Sequence, residues 1–223
     1  MSSTERLGRI VGALLLVQLA GLIVPFILLL PIARGSREYL ANAAGVNGQV
    51  KLAVVLLLLN CALTVGISLA VYPLVRKYGE RLALLLVAAS VVMLTLQAVD
   101  CAHILAMLAL SQQFAQAGGS GELFQAMAAM LYATRKWSHY AELLAIDCWI
   151  FVFYCVLYRF RLVPRVLSVF GIVTVLLHFA GVTLAGFVGY PMLTPLGASM
   201  ALSHVAVAGW LMVMGFRERS SGE

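Results

Sequence analysis

Apolar residues run along this chain in six blocks, each bounded by charged or turn-forming residues. The blocks are Ile10–Ala33, Leu52–Val75, Leu82–Leu110, Trp137–Tyr158, Val166–Val188 and Pro195–Phe216. About twenty apolar residues make a helix long enough to cross the hydrocarbon core of a bilayer. A spanning segment must satisfy its own backbone hydrogen bonds, so each block predicts an α-helix. The expected fold is therefore all-α: a polytopic six-helix transmembrane bundle, with residues 1–223 forming a single transmembrane domain.

The stretches between the blocks refine this picture. Pro25 and Pro31 should kink the first span or end it early, and Pro73 lies near the end of the second. Residues 34–50 carry Arg34, Arg37, Glu38, Asn42 and Asn47, polar enough for a surface connection with room for a short helix. Gly118, Gly119, Ser120 and Gly121 mark a flexible linker. After it, Leu123, Phe124, Met127 and Leu131 recur at helical spacing as far as Arg135 and Lys136, which predicts an interfacial helix before the fourth span.

Composition places the chain in a membrane. It is 63% hydrophobic and only 11% charged, with a mean hydropathy of +1.00, whereas soluble domains are about a quarter charged. The formal charge of +6 does not indicate nucleic-acid binding, because the basic residues sit in small clusters between apolar blocks instead of forming one stripe. Ten of them (Arg6, Arg9, Arg76, Lys77, Arg81, Arg159, Arg161, Arg165, Arg217 and Arg219) fall in alternate connections and the two ends, against Arg34, Arg37, Lys51, Arg135 and Lys136 in the others. That asymmetry predicts cytoplasmic N- and C-termini. The first apolar block is too long for the core of a secretory signal, so it reads as a retained helix. Cys61, Cys101, Cys148 and Cys155 all fall inside spans, where they read as small buried residues and not as a disulfide framework. A thiolate ligand role for Cys101 or Cys148 is the alternative.

Two stretches carry a family resemblance. The first runs from Tyr39-Leu40-Ala41 through Leu59-Asn60 and Tyr72-Pro73-Leu74-Val75-Arg76-Lys77 to Glu80-Arg81-Leu82-Ala83-Leu84. The second includes Arg135 and Trp137, Leu157-Tyr158-Arg159, Arg161-Leu162-Val163-Pro164-Arg165, Ser168-Val169-Phe170-Gly171, Trp210-Leu211 and Gly215-Phe216. Together they resemble a bacterial membrane family catalogued as domain of unknown function 4386. The resemblance implies a compact, multi-pass helical protein of the bacterial cytoplasmic (inner) membrane. It brings no assigned chemistry.

Ionisable side chains within the spans ask for a reason, because charge is costly in hydrocarbon. Asp100 and His103 are three apart on the third span, and His139 and Glu142 are three apart on the fourth, so each pair shares a helix face. The two spans run in opposite directions, which sets His103 level with His139 and Asp100 level with Glu142. At 1.5 Å per residue the histidines lie roughly 10–13 Å, and the carboxylates roughly 6–9 Å, toward the outer surface. Two carboxylates and two imidazoles on adjacent helices form a candidate metal site of the kind found in helical bundles, suited to zinc, iron or manganese. His178 and His204, on the last two spans, fall near the middle of the bilayer and are candidate cofactor ligands, as the axial pair of a haem. The chain has no Cys-x-x-Cys-His motif, so such a haem would be held non-covalently.

Plainer readings exist for the same residues. Asp100 and His103 can neutralise one another, and Arg135 is placed to reach His139 or Glu142, making a network that only fixes packing. Asp147, about 140° around the helix from Glu142, faces elsewhere and could meet Asn60 or Ser203. Trp137, Tyr140, Trp149 and Trp210 read as interface anchors or packing, and Gly66, Gly181 and Gly186 as points of close helix contact. Three functions follow. The first is a membrane protein with a buried His/carboxylate site toward the outer face that binds a metal or haem and acts on a lipid-like or small-molecule ligand. The second is a proton-coupled transporter of ions or small molecules. The third is a structural or partner-binding subunit. Membrane lipids are the expected surroundings in all three, and the residues leave open whether the protein is an enzyme.

Overall fold

The two longest helices of this chain contain neither proline nor glycine. A computed structural model describes residues 2–32, 35–189 and 194–217 of the chain. Helix α1 (Ser3–Leu29) contains Pro25 and passes into a tight turn, Leu30–Ile32. A short helix, α2 (Ser36–Asn42), occupies the polar connection as expected, and a second tight turn leads into α3 (Asn47–Arg76). The hairpin to α4 (Glu80–Gln116) closes at Tyr78 and Gly79, whose amides both donate to the Val75 carbonyl, at 3.0 and 2.9 Å.

Between Glu122 and Arg159 there is neither proline nor glycine, and this whole stretch is one helix, α5, of 38 residues. The segment expected to lie along the interface is helical and continues without a break into the fourth span. At 1.5 Å per residue α5 is roughly 57 Å long, well beyond the ~30 Å hydrocarbon core. Gly118, at φ 83°, and Gly119, at φ 72°, end α4. The Gly119 amide reaches back to Phe114 O at 3.0 Å, the bond that closes a helix with a left-handed residue. Phe114 and Phe124 then meet edge to face at 5.7 Å.

Helix α6 (Arg165–Thr183) ends in a wider π-type turn, Leu184–Val188, and α7 (Thr194–Met214) follows. Among the described residues, five helical segments are long and apolar enough to cross a membrane: Ser3–Leu29, Ser36–Arg76, Glu80–Gln116, Glu122–Arg159 and Arg165–Val188. Ala198–Met214 adds a shorter apolar helix. Many large apolar side chains face outward, among them Phe26 at 65% and Val213 at 68% exposure. Water would penalise so much apolar surface; lipid does not.

The chain forms two compact units. One is drawn from Met1–Leu19, Ala62–Met93 and Leu143–Glu223. Its centre holds the fully buried Trp149, Phe153 and Tyr154 of α5, with Trp149 Nε1 donating to Ser68 Oγ at 2.8 Å. Gln18, the polar residue inside the first span, donates to Thr64 Oγ1 at 2.6 Å. The basic segments of this unit meet one another: Tyr78 stacks on Phe160 at 5.4 Å, and the Arg217 amide donates to Leu162 O at 2.9 Å. Gly8 lies so close to the backbone of Gly215 and Phe216 that a Cβ would overlap it. The start of α1 and the end of α7 are therefore neighbours.

The other unit is drawn from Ala20–Cys61 and Leu94–Glu142. Ile32, Tyr39, Val50, Val54, Ile104 and Met107 are among its core. Two hydrogen bonds pin α2 to α4: Tyr39 Oη donates to Ile104 O at 2.9 Å, and Ser111 Oγ donates to Leu40 O at 2.7 Å. This anchoring holds the stretch of α4 that carries Asp100 and His103.

Three readings of single residues are corrected by the structure. Gly66 has nothing within 4 Å of where a Cβ would stand, so it is not a point of close helix contact; Gly171, against the Tyr154 ring, is one. Cys148 is exposed, unlike the buried Cys61 and Cys101, and all four cysteines are free. Asp147 pairs with His178 and not with Asn60 or Ser203.

Candidate functional site

Asp100 on α4 and His139 and Glu142 on α5 form the candidate metal centre. Each offers a ligand atom, and these atoms all lie within 4.8 Å of one another. Zinc binds nitrogen and oxygen ligands at about 2.0–2.2 Å, so modest inward shifts of the side chains would close them around an ion. Asp100 and Glu142 are buried, at 1% and 3% exposure, whereas the His139 side chain is 45% exposed. The site is thus walled by carboxylates and reached past an imidazole. The i, i+3 spacing of His139 and Glu142 brings His139 Nδ1 to 2.9 Å from Glu142 Oε2.

His103, the fourth residue expected here, is placed beside the cluster and not within it. Its Nδ1 lies 3.0 Å from Ser138 Oγ, which in turn lies 3.0 Å from Asp100 Oδ1. Ser138 Oγ is also 2.9 Å from Arg135 O. A hydroxyl has one proton, and the charged acceptor attracts it more strongly than a carbonyl does. Ser138 therefore donates to Asp100, and His103 Nδ1–H donates to Ser138. Arg135 reaches across to the other oxygen of Asp100, Nη2 to Oδ2 at 3.6 Å. Its partner lies on α4, where the sequence suggested His139 or Glu142 on its own helix.

Ser138 is the residue that sequence reasoning missed. It sits next to His139 and faces α4, but serine is common in membrane helices and carries no charge to draw notice. Gln97, one turn before Asp100, extends the polar layer: Gln97 Nε2 donates to Cys101 Sγ at 3.7 Å, and Cys61 Sγ donates to Gln97 Oε1 at 3.8 Å. With both carboxylates ionised and Arg135 charged, the cluster holds a net charge of −1 when His139 is neutral. That balance favours a cation.

His178 and His204, the candidate cofactor ligands, are both buried and have different surroundings. His178 Nδ1 lies 2.6 Å from Asp147 Oδ1. When the acid is ionised the proton lies on Nδ1, which leaves Nε2 as the atom free to ligate, as in carboxylate–histidine–metal arrangements. The His204 ring meets Tyr154 edge to face at 6.4 Å. Nearby, Ser203 Oγ lies 2.9 Å from Thr174 Oγ1 and 3.4 Å from Tyr154 Oη.

Long apolar helices with an apolar exterior and ionisable groups gathered inside define an integral membrane protein with a buried polar site. The chain belongs to the family described as domain of unknown function DUF4386, which matches residues 10–215. No curated protein and no solved structure matches it.

Proposed function

We propose that this is a multi-pass protein of a bacterial cytoplasmic membrane, with both termini on the cytoplasmic side, that binds a divalent transition metal ion at Asp100, His139 and Glu142. The observation that supports this reading is the gathering of those three ligand atoms within 4.8 Å. A mixed set of one imidazole and two carboxylates suits zinc, iron or manganese. Three protein ligands leave a coordination position for water or a substrate oxygen. A metal there would polarise a carbonyl or phosphoryl group, or lower the pKa of a bound water. Ser138 would orient Asp100 as an outer partner. An ester-bearing, lipid-like molecule entering past His139 is the class of substrate such a site would take; for iron or manganese, redox chemistry at the same position is the counterpart.

Metal analysis and zinc titration of the purified protein test the proposal, together with an absorption spectrum that would reveal a haem held by His178 and His204. Wild type should retain about one equivalent of metal, and His139→Ala and Glu142→Gln should lose it. A protein that binds no zinc, iron or manganese at micromolar concentration, and has no Soret band, would remove the reading.

One observation favours a second reading. The bonds from His103 through Ser138 to Asp100 form a continuous line of exchangeable protons between α4 and α5. Such chains support proton relays in transporters. Proteoliposomes should then show a proton flux that Asp100→Asn abolishes.

A further inference from the structure

Within the unit that contains Trp149, three helices begin or end beside one another at the basic segments. Helix α3 ends at Arg76, α4 starts at Glu80 and α5 ends at Arg159. Tyr78 stacks on Phe160 at 5.4 Å, and a Cβ on Gly79 would stand 3.1 Å from the Phe160 ring. The turn between α3 and α4 is thereby held against the end of α5. Between them is an open cavity of about 480 Å³, lined by residues 78–82 with Arg159 and Phe160. Its size falls within the roughly 300–1,000 Å³ of small-molecule sites.

The charge in this cavity is not balanced. Arg81 and Arg159, far apart in the chain, both line it, and both are exposed. Neither makes an ion pair among the described residues. Glu80, the acid in the lining, is committed to Arg76, Oε1 to Nη2 at 3.2 Å. Three guanidiniums against one carboxylate leave a formal charge of +2. Two uncompensated guanidiniums attract an anion, and their planar forks of donors match the oxygens of a phosphate.

What borders the cavity decides where that phosphate comes from. Leu84 and Leu85, one turn along α4 from Arg81, are 53% and 48% exposed. The outward-facing apolar surface of the span therefore starts directly beside the cavity, and the two arginines stand where hydrocarbon gives way to headgroups. A basic cavity between membrane helices on the cytoplasmic side, to which the charge asymmetry assigns these segments, is suited to an anionic headgroup.

We propose that this cavity binds the headgroup phosphate of an anionic phospholipid. Arg81 and Arg159 hold its oxygens from two different helices, Arg76 offsets the carboxylate of Glu80, and the acyl chains lie along Leu84 and Leu85. The site uses no residue of the Asp100, His139 and Glu142 cluster or of the Asp147 and His178 pair. It stands whether or not a metal binds.

Native mass spectrometry of the full chain in detergent, stripped of lipid and titrated with short-chain phosphatidylglycerol or phosphatidylcholine, tests this. The two lipids share phosphate and tails and differ in net charge. Wild type should bind phosphatidylglycerol at least about tenfold more tightly than phosphatidylcholine. Arg81→Gln combined with Arg159→Gln should abolish that preference. Arg37→Gln combined with Lys51→Gln, which remove the same charge from exposed positions outside this unit, should leave it unchanged. Glycerol phosphate, which carries the phosphate without tails, should fail to displace the lipid at equal concentration; displacement there would make a soluble phosphate ester the ligand and overturn the lipid assignment. Equal binding of the two lipids by wild type, or a preference that survives the loss of both arginines, would overturn the site. The wild-type comparison decides alone should the glutamine variant not fold.

Discussion

Ser138 Oγ lies 3.0 Å from Asp100 Oδ1, and this contact joins the two helices that build the polar cluster. Serine adds no charge to the site. It donates a hydrogen bond to Asp100 and accepts one from His103, so two ionisable groups depend on a single hydroxyl.

Removing that hydroxyl should therefore be felt at both. Ser138→Ala should lower stability by about 1–3 kcal/mol, the range for leaving a buried polar group unsatisfied. A thermal melt in detergent measures this. Ser138 is not a proposed ligand, so metal stoichiometry should stay near one; a variant that loses its metal would make Ser138 part of the site itself.

A metal ion at the proposed site would compete with Arg135 for one carboxylate, since the guanidinium stands 3.6 Å from Asp100 Oδ2. Arg135→Gln removes a positive charge from beside the ion and should tighten zinc binding at least about tenfold, while the metal-free protein becomes less stable. Calorimetric titration of both proteins checks it. Weaker binding in the variant would show that Arg135 positions Asp100 more than it repels the ion.

Protons should compete with metal at the same place. A metal binds neutral imidazole and ionised carboxylate, so its binding releases protons and its affinity falls as pH is lowered. Zinc affinity should be weaker at pH 5.5 than at pH 7.5. His139→Ala should bind weakly at both and show a shallower pH dependence, because the imidazole proton no longer takes part.

Asp147 and His178 should behave as one unit. Asp147→Asn and His178→Gln each disturb a buried 2.6 Å contact, and the double variant should be more stable than the two losses added together. Coupling within contacting pairs is about 0.5–3 kcal/mol. A double-mutant cycle on detergent unfolding measures it, and strict additivity would show that the contact contributes nothing.

Two glycines give opposite expectations for one substitution. A Cβ at Gly171 would overlap the Tyr154 ring, whereas Gly66 has nothing within 4 Å. Gly171→Ala should cost about 1–3 kcal/mol through overpacking, and should disturb Tyr154 and with it Ser203 and His204. Gly66→Ala should be neutral, or stabilising by about 0.5–1 kcal/mol, because alanine is the better residue inside a helix. Melting temperatures of the two variants decide it.

Much of this could be read along the chain. The apolar blocks mark the helices, and Gly118 and Gly119 mark the end of α4. The i, i+3 spacings of Asp100 with His103 and of His139 with Glu142, on helices of opposite direction, predict that acids and imidazoles meet between α4 and α5. Asp147 and His178 were within reach of the same arithmetic, as both lie near mid-bilayer, but depth says nothing of which neighbour a side chain faces.

That facing is what the tertiary structure decided. It turned Arg135 toward Asp100, put Ser138 between Asp100 and His103, left His103 beside the cluster of Asp100, His139 and Glu142, and buried Asp147 against α6. Hydropathy determines that a segment crosses the membrane, how long it is and how deep each polar residue lies, because these follow from the energy of transfer into hydrocarbon. It does not determine rotation about the helix axis. Helices apolar on nearly every side carry no stripe to orient them, so their rotation, and with it every pairing in the two polar sites, is set by close packing of side chains against the neighbouring helices.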